Sequence, residues 1–229
     1  MAYRLPGNKA LVEQALAAHG PLRHAQPVPP ESIAEWEGLL PELLLDFWEN
    51  QGIGELGGGR MRLCLPQMFA EPLALLFHDD PDFAQGTVAL AYGPFGSLIL
   101  WNRREWLGLL THPGAMLDAP FFGRSKAGLD PNRVVFDHVL NADPAFMDVI
   151  GEDGQDLFLH AQAQLGPLLP GQIYAPLPPG DLYQTRLDAM HRLDVQDWLS
   201  ARFAGQVHML HDLMGDRLNI RALGRGAGR

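Results

Sequence analysis

Apolar residues recur at helical spacing in several stretches of the chain. In residues 31–51, Leu44, Phe47 and Trp48 share one face of a predicted helix, which indicates that this face is buried. Pro41 lacks a backbone N–H, so we predict two helices that are separated at this proline. The same spacing predicts further helices at residues 9–19, 68–77, 144–150, 154–165 and 197–214.

Alternating apolar and polar residues predict strands elsewhere. In residues 60–65, Met61, Leu63 and Leu65 alternate with polar neighbours, which is typical of a strand with two different faces. Cys64 lies on the face opposite these apolar residues, where a small buried side chain is the expected role. The same pattern predicts strands at residues 87–92, 97–101, 106–110 and 188–195.

The turn chemistry between two of these strands predicts a β-hairpin. A Gly-Pro-Phe-Gly sequence joins residues 87–92 to residues 97–101. Trp101, in the second strand, is expected to be buried like Phe47 and Trp48. Because strands and helices mix without regular alternation, we predict an α+β fold, with a mixed or antiparallel sheet, flanking helices and two lobes.

One glycine pattern has the spacing of a dinucleotide-binding fingerprint. Gly52, Gly54 and Gly57 fit G-x-G-x-x-G. The fingerprint works when a strand precedes it and a helix follows, because the helix N-terminus then faces the pyrophosphate. Here a predicted helix precedes the glycines and a predicted strand follows, so we expect a turn and no nucleotide.

Candidate metal ligands and nucleophiles are few. His208 and His211 lie three positions apart on the last predicted helix, and Asp212 adjoins them, but a zinc site needs three or four ligands. Residues 78–80, His-Asp-Asp, have the composition of a solvated helix end. Cys64 could act as a nucleophile only beside a histidine in space. We therefore predict no catalytic residues, no metal and no cofactor.

Composition narrows the class of protein. The chain has 229 residues, of which 47% are hydrophobic and 19% are charged, as is usual for a protein that folds on its own. Its apolar runs are far shorter than the roughly 18 residues that a membrane-spanning helix needs. No secretion signal is recognisable, and the single cysteine cannot form an internal disulfide. These features predict a cytoplasmic protein with no membrane contact.

The charge is strongly acidic and unevenly distributed. The net charge is −10, and residues 30–83 contain eleven acidic residues against two arginines. Such a surface repels nucleic acid and attracts a basic partner, although it can also serve only for solubility. Glu42, Asp46 and Glu49 recur at i, i+4 and i+7, which predicts an exposed acidic stripe whose charges can be reversed without loss of folding. The predicted partner-binding residues are Glu42, Asp46, Glu49, Asp79, Asp80 and Asp82.

Three segments in order resemble a known family. They are residues 40–54 (LPELLLDFWENQGIG), residues 92–102 (YGPFGSLILWN) and residues 157–174 (LFLHAQAQLGPLLPGQIY). Together they resemble the GAD-like domain followed by the C-terminal domain of type VI secretion DNase-immunity proteins. After Tyr174 this chain departs from the family, because a proline-rich run replaces an aromatic, glycine- and alanine-rich one.

The resemblance implies both a domain division and a function. The expected parts are a GAD-like N-terminal domain at 1–110, an irregular connection at 111–149, and an immunity-type C-terminal domain at 150–229 with a frayed basic tail. The implied function is that of a non-enzymatic antitoxin that binds a secreted toxin acting in the cytoplasm, a basic DNase, without contacting nucleic acid itself. The alternatives are an adaptor or regulatory protein-binding module, and a metal-dependent enzyme that uses residues 78–80 or the two histidines.

Overall fold

The structure, a computed structural model, describes residues 3–111, 115–150, 156–177 and 187–224. In these ranges the α-helices are α1 (Asn8–His19), α2 (Pro30–Ala34), α3 (Glu42–Gln51), α4 (Ala70–Leu76), α5 (Pro131–Val135), α6 (Leu157–Leu165) and α7 (Val195–Gly205). The strands are β1 (Arg23–Gln26), β2 (Ile53–Leu56), β3 (Met61–Leu63), β4 (Thr87–Tyr92), β5 (Leu98–Asn102), β6 (Trp106–Thr111), β7 (Met116–Asp118), β8 (Gln172–Pro176), β9 (Met190–Asp194), β10 (Met209–Asp212) and β11 (Arg217–Ala222). Among these helices none is long and apolar enough to cross a membrane.

Nine of the strands form one mixed sheet. Their order is β1-β2-β3-β4-β5-β6-β7-β10-β11, and β8 pairs with β9 in a small second sheet. Neighbours in the large sheet are antiparallel except β7 and β10, which run parallel. The predicted α+β class with a mixed or antiparallel sheet is therefore confirmed, as is the hairpin of β4 and β5.

The large sheet has a hydrophobic core on each face. Leu98 and Leu100 of β5 point into one core, while Ile99 and Trp101 point into the other. Because β5 lies between two cores, all of its residues are buried, including Trp101 as predicted. Leu44, Phe47 and Trp48 of α3 are also buried as predicted, in the second core.

The sheet continues across the predicted domain boundaries. The expected irregular connection, residues 111–149, contains β7, α5 and a π-helix at Phe136–Leu140, so its predicted irregularity is wrong for these residues. Each core also draws on residues from both sides of residue 110. The division of the chain into domains at residues 110 and 150 stays a prediction.

The predicted helix at residues 197–214 is only partly correct. Helix α7 ends at Gly205, and β10 follows it. Val207 and Leu213, which the helical spacing predicts to face inward, are exposed. The reason is that β10 finds its backbone partners on β7, with Met209 opposite Met116, and such pairing with a distant strand overrides local periodicity.

The glycine pattern after α3 forms a turn, as predicted. Gly52 has a φ of +81°, and a Cβ atom there would lie 2.2 Å from the carbonyl oxygen of Gln26. A Cβ atom at Gly54 would lie 2.8 Å from the carbonyl oxygen of Arg23. The two glycines are thus needed because β1 passes directly against the backbone of β2.

Candidate functional site

The acidic residues of α3 are tied to an arginine near the N-terminus. Asp46 is completely buried, and its carboxylate accepts hydrogen bonds from the Arg4 backbone N–H (3.0 Å), the Arg4 Nη1 (3.0 Å) and the Asn8 Nδ2 (2.7 Å). The prediction that Asp46 is a solvated position is wrong, because the segment before α1 covers this part of α3. Replacing Asp46 is therefore expected to affect folding.

Three further carboxylates surround the same arginine. The Arg4 guanidinium lies 3.3 Å from Glu37 Oε1, 3.2 Å from Glu42 Oε2 and 2.7 Å from Glu49 Oε2. The side chains of Glu37, Glu42 and Glu49 remain 58%, 38% and 49% exposed. Arg4 and these four acids, here called the Arg4 cluster, carry a net charge of −3 and present it to solvent.

The other predicted acidic residues have a different environment. Asp80 is buried and accepts hydrogen bonds from Arg221 Nη1 (2.6 Å), Arg221 Nη2 (2.8 Å) and the Gly224 N–H (3.1 Å). Burial alone raises the pKa of the Asp80 carboxyl, but the bonds from Arg221 and from the N–H groups of Asp82 and Phe83 outweigh it and hold the pKa below its usual value. The expectation of a solvated helix end is therefore wrong for Asp80.

Asp82 belongs to the same group of charges. It pairs with Arg104 and, at 2.7 Å, with Arg221 Nη2. Glu105 pairs with Arg104 at 2.8 Å and with Lys126 at 3.5 Å. These six residues, here called the Asp80 cluster, consist of three acids and three bases: Asp80, Asp82, Glu105, Arg104, Lys126 and Arg221. Asp79 stays exposed beside the cluster and contacts His78.

A pocket of about 590 Å³ opens beside the edge strand β1. Its walls come from β1, α2, β2 and β3, and Pro170 and Gly171 complete it from the C-terminal region. The Tyr92 hydroxyl lines the pocket and accepts a hydrogen bond from the Gly171 N–H at 2.9 Å. A volume of this size falls within the range of small-molecule and side-chain binding pockets.

Arg62 forms part of the pocket floor and is almost fully buried. Its Nε and Nη2 both donate to Glu55 Oε1, at 3.1 and 2.8 Å. The remaining N–H groups donate to the backbone carbonyls of Leu168 (3.1 Å), Leu169 (3.5 Å) and Gln172 (3.2 Å). All five guanidinium donors are thus engaged, and Arg62 joins the large sheet to the segment before β8.

Cys64 also lines the pocket, but its thiol is buried and turned to the backbone. The Sγ atom donates to the Ala89 carbonyl at 3.8 Å. Burial raises the pKa of the thiol, which disfavours the thiolate that a nucleophile requires. The predicted burial of Cys64 on the face opposite Met61 and Leu63 is confirmed, although β3 ends one residue before it.

The two candidate metal ligands of the C-terminal region do not share a helix. His208 precedes β10 and is buried edge-on against Phe203 at 5.2 Å, while His211 lies within β10. Burial lowers the pKa of His208 to about 4. No group of three or more histidine, cysteine or acidic side chains that could hold a metal occurs in the parts of the chain that the structure describes.

The residues that organise these sites were not singled out by the sequence. Arg4 is 42 positions from Asp46, and Arg221 is 141 positions from Asp80, so no local pattern connects them. Only Arg62 could have been noticed in the sequence, because an arginine within an apolar strand needs a buried partner. That partner, Glu55, comes from the neighbouring strand.

Comparison with known proteins identifies one domain and one fold. Residues 10–109 match the family described as the GAD-like domain, which contains most of the pocket. A search of curated proteins finds no match. The crystal structure of Atu4351 from Agrobacterium tumefaciens has a similar fold, with a TM-score of 0.80 and 23% sequence identity over 93% of this chain and 98% of that chain. Residues 10–109 are therefore similar to the GAD-like domain, and the chain shares the overall fold of Atu4351.

Proposed function

We propose that this protein is a non-enzymatic immunity protein. It would bind and neutralise a secreted toxin that acts in the cytoplasm, with a type VI secretion DNase as the expected toxin. The proposal starts from the resemblance to a GAD-like domain followed by an immunity-type domain. The match of residues 10–109 to the GAD-like domain supports the first of these two parts.

The observation that carries the proposal is the unbalanced charge of the Arg4 cluster. In the Asp80 cluster, each carboxylate is paired with at least one cation of the same protein. In the Arg4 cluster one arginine serves four acids, and three of these remain partly exposed. Such a surface repels nucleic acid and is complementary to a basic protein.

A nuclease is a suitable partner for this surface. Proteins that grip the phosphate backbone carry lysines and arginines, so their binding faces are basic. Rim charges mainly raise the association rate, whereas a few buried anchors supply most of the affinity. An antitoxin that acts at nanomolar concentration needs about −12 kcal/mol in total, so anchors are required in addition to the acidic surface.

Co-purification with the product of the neighbouring gene tests the proposal directly. We expect a stable complex and loss of the partner's DNase activity. The triple variant Glu37→Gln, Glu42→Gln, Glu49→Gln should slow association about tenfold at low salt and flatten its dependence on ionic strength. Asp46 is left intact because it is part of the fold.

A matched triple variant controls for the loss of charge alone. Glu13→Gln, Asp137→Asn and Asp197→Asn removes three exposed carboxylates elsewhere and should leave the association rate nearly unchanged. If both triple variants had equal association rates and equal dependence on ionic strength, the Arg4 cluster would not be part of the interface. Absence of any complex and of any inhibition would contradict the immunity function itself.

A further inference from the structure

We propose that the pocket beside β1 receives an arginine or lysine side chain of the protein partner. This inference rests on the proposed function and adds the anchor that the acidic surface requires. The pocket has the size for such a role, at about 590 Å³, and it opens to solvent between the edge strand and α2.

The charges at the pocket favour a cation. Its acidic residues are Glu35 at the rim and Glu55 in the wall, and its arginine is Arg62. Arg62 attracts an anion only weakly, because all five of its N–H groups already donate to Glu55 and to backbone carbonyls. With His24, which also lines the pocket, counted as neutral, Glu35, Glu55 and Arg62 give the pocket one net negative charge, so a phosphate or carboxylate ligand is disfavoured.

The Glu35 carboxylate at the pocket rim can accept a hydrogen bond from a bound cation. Glu35 is exposed, and its Oε2 accepts a hydrogen bond from Gln67 Nε2 at 2.9 Å. This bond holds the carboxylate at the rim and leaves Oε1 for an incoming N–H donor. The Gln26 and Ser32 side chains, which also line the pocket, provide further polar atoms beside it.

The inner wall suits the aliphatic stem of a basic side chain. Ile53, Leu63, Leu65 and Met68 supply apolar surface below the rim. Lysine and arginine bury their methylene groups against such surface and keep the charged end near water and carboxylates. The volume also leaves room for part of the loop that carries the side chain.

The pocket lies next to the Arg4 cluster along the chain. Glu35 at the pocket rim is two residues before Glu37, which contacts Arg4 at 3.3 Å. We expect a basic surface that is steered to the Arg4 cluster to reach the pocket as well. Arginine is among the residue types that are enriched in interface hot spots, and hot spots lie in well-packed pockets.

Capped amino acids test the pocket without the partner. N-acetyl-arginine N-methylamide is titrated into the full-length protein, with N-acetyl-citrulline N-methylamide as its neutral isostere. Methyl-¹³C methionine NMR follows Met68 in the pocket wall and Met214 near the opposite edge of the sheet as an internal control. We expect a saturable shift of the Met68 signal alone, with the arginine probe binding about fivefold more tightly than the citrulline probe.

A variant pair assigns the effect to the rim carboxylate. Glu35→Gln keeps the shape of the side chain and should weaken the arginine probe about threefold while leaving the citrulline probe unchanged. Glu31→Gln removes an exposed carboxylate from α2, four residues before Glu35 and outside the pocket, and should change the binding of neither probe. Thermal melts of both variants confirm that folding is retained.

Two results would overturn the inference. One is the absence of any Met68 shift up to high probe concentration, and the other is equal binding of both probes that Glu35→Gln does not alter. The result is separable from the proposed function. A complex with the neighbouring gene's product but no probe binding contradicts only the pocket, whereas probe binding without a complex or inhibition contradicts only the immunity function.

Discussion

The Arg4 cluster and the Asp80 cluster are built from the same residue types and end with opposite properties. In the Arg4 cluster one arginine serves four carboxylates, three of which stay 38–58% exposed. In the Asp80 cluster three cations serve three carboxylates, and the central Asp80 is fully buried. The first cluster leaves a charged surface, and the second joins β11 to the loop after α4.

The difference shows that the number of acidic residues in a sequence does not measure the acidity of its surface. Asp80 and Asp82 contribute to the excess between residues 30 and 83, yet arginines from other regions neutralise them. The ratio of cations to carboxylates within each cluster decides which acids remain available to a partner. By that ratio the Arg4 cluster is the candidate contact surface.

The largest expected effect is at the centre of the balanced cluster. Asp80→Ala leaves the partly buried Arg221 without its main partner and should lower the free energy of unfolding by about 3 kcal/mol. Urea unfolding at pH 7 measures it. The double variant Asp80→Ala, Arg221→Met should recover part of the loss, since it removes the uncompensated charge. A loss below about 1 kcal/mol for the single variant would show that the cluster does not hold β11 in place.

A smaller effect is expected at the buried acid of the unbalanced cluster. Asp46→Asn keeps the shape but removes the charge and replaces one acceptor oxygen with an NH2 group that cannot accept from Arg4 or Asn8, which should cost about 1.5–3 kcal/mol. The loss is smaller than at Asp80 because Arg4 retains three other carboxylates. Urea unfolding of Glu49→Gln, an exposed member of the same cluster, provides the control. If Asp46→Asn left the free energy of unfolding unchanged, Asp46 would behave as the solvated helix position that the sequence predicts.

Lowering the pH protonates Asp80 and should remove part of the stability that its carboxylate contributes. Hydrogen bonds hold the folded-state pKa of Asp80 below its usual 3.8, so its stabilising contribution is present above that value and is lost as the pH falls through the folded pKa. The stability gap between wild type and Asp80→Asn should therefore narrow as the pH falls from about 5 towards 3. His208 titrates in both proteins and cancels in the difference. A gap that stays constant would contradict the lowered pKa.

The smallest effects are expected at the exposed acids of the Arg4 cluster. Glu37→Gln, Glu42→Gln and Glu49→Gln should each change the free energy of unfolding by less than about 0.5 kcal/mol, because exposed ion pairs contribute little and each removal also relieves repulsion among the remaining acids. Thermal melts at low and high salt measure this. A loss of about 2 kcal/mol at any one position would mean that its carboxylate belongs to the fold, as Asp46 does.

Local patterns predicted the parts of the fold that local interactions decide. The apolar face of α3, its start after Pro41 and the hairpin of β4 and β5 were all predictable from spacing and turn residues. The same holds for the turn at Gly52, because a helix precedes it and a strand follows. In these segments burial and backbone geometry leave few alternatives for the chain.

The candidate site was less predictable because distant residues define it. Asp46 has the spacing of an exposed helix position, and only the approach of Arg4 and Asn8 makes it a buried one. The pocket needs Pro170 and Gly171 beside strands that precede them by more than 70 residues. Helical spacing likewise misassigned β10, whose conformation depends on pairing with β7.

The parallel pairing of β7 with β10 also has a consequence for how the protein is made. Residues 116–118 leave the ribosome about 90 residues before residues 209–212, a delay of roughly 5–20 s at ordinary rates of synthesis. During that time the outer edge of β7 lacks its strand partner, and an unpaired edge can template aggregation. The strand is only three residues long and ends in Asp118, which limits the danger. We therefore expect the exposed edge of β7 to lower the yield of correctly folded protein only slightly during synthesis.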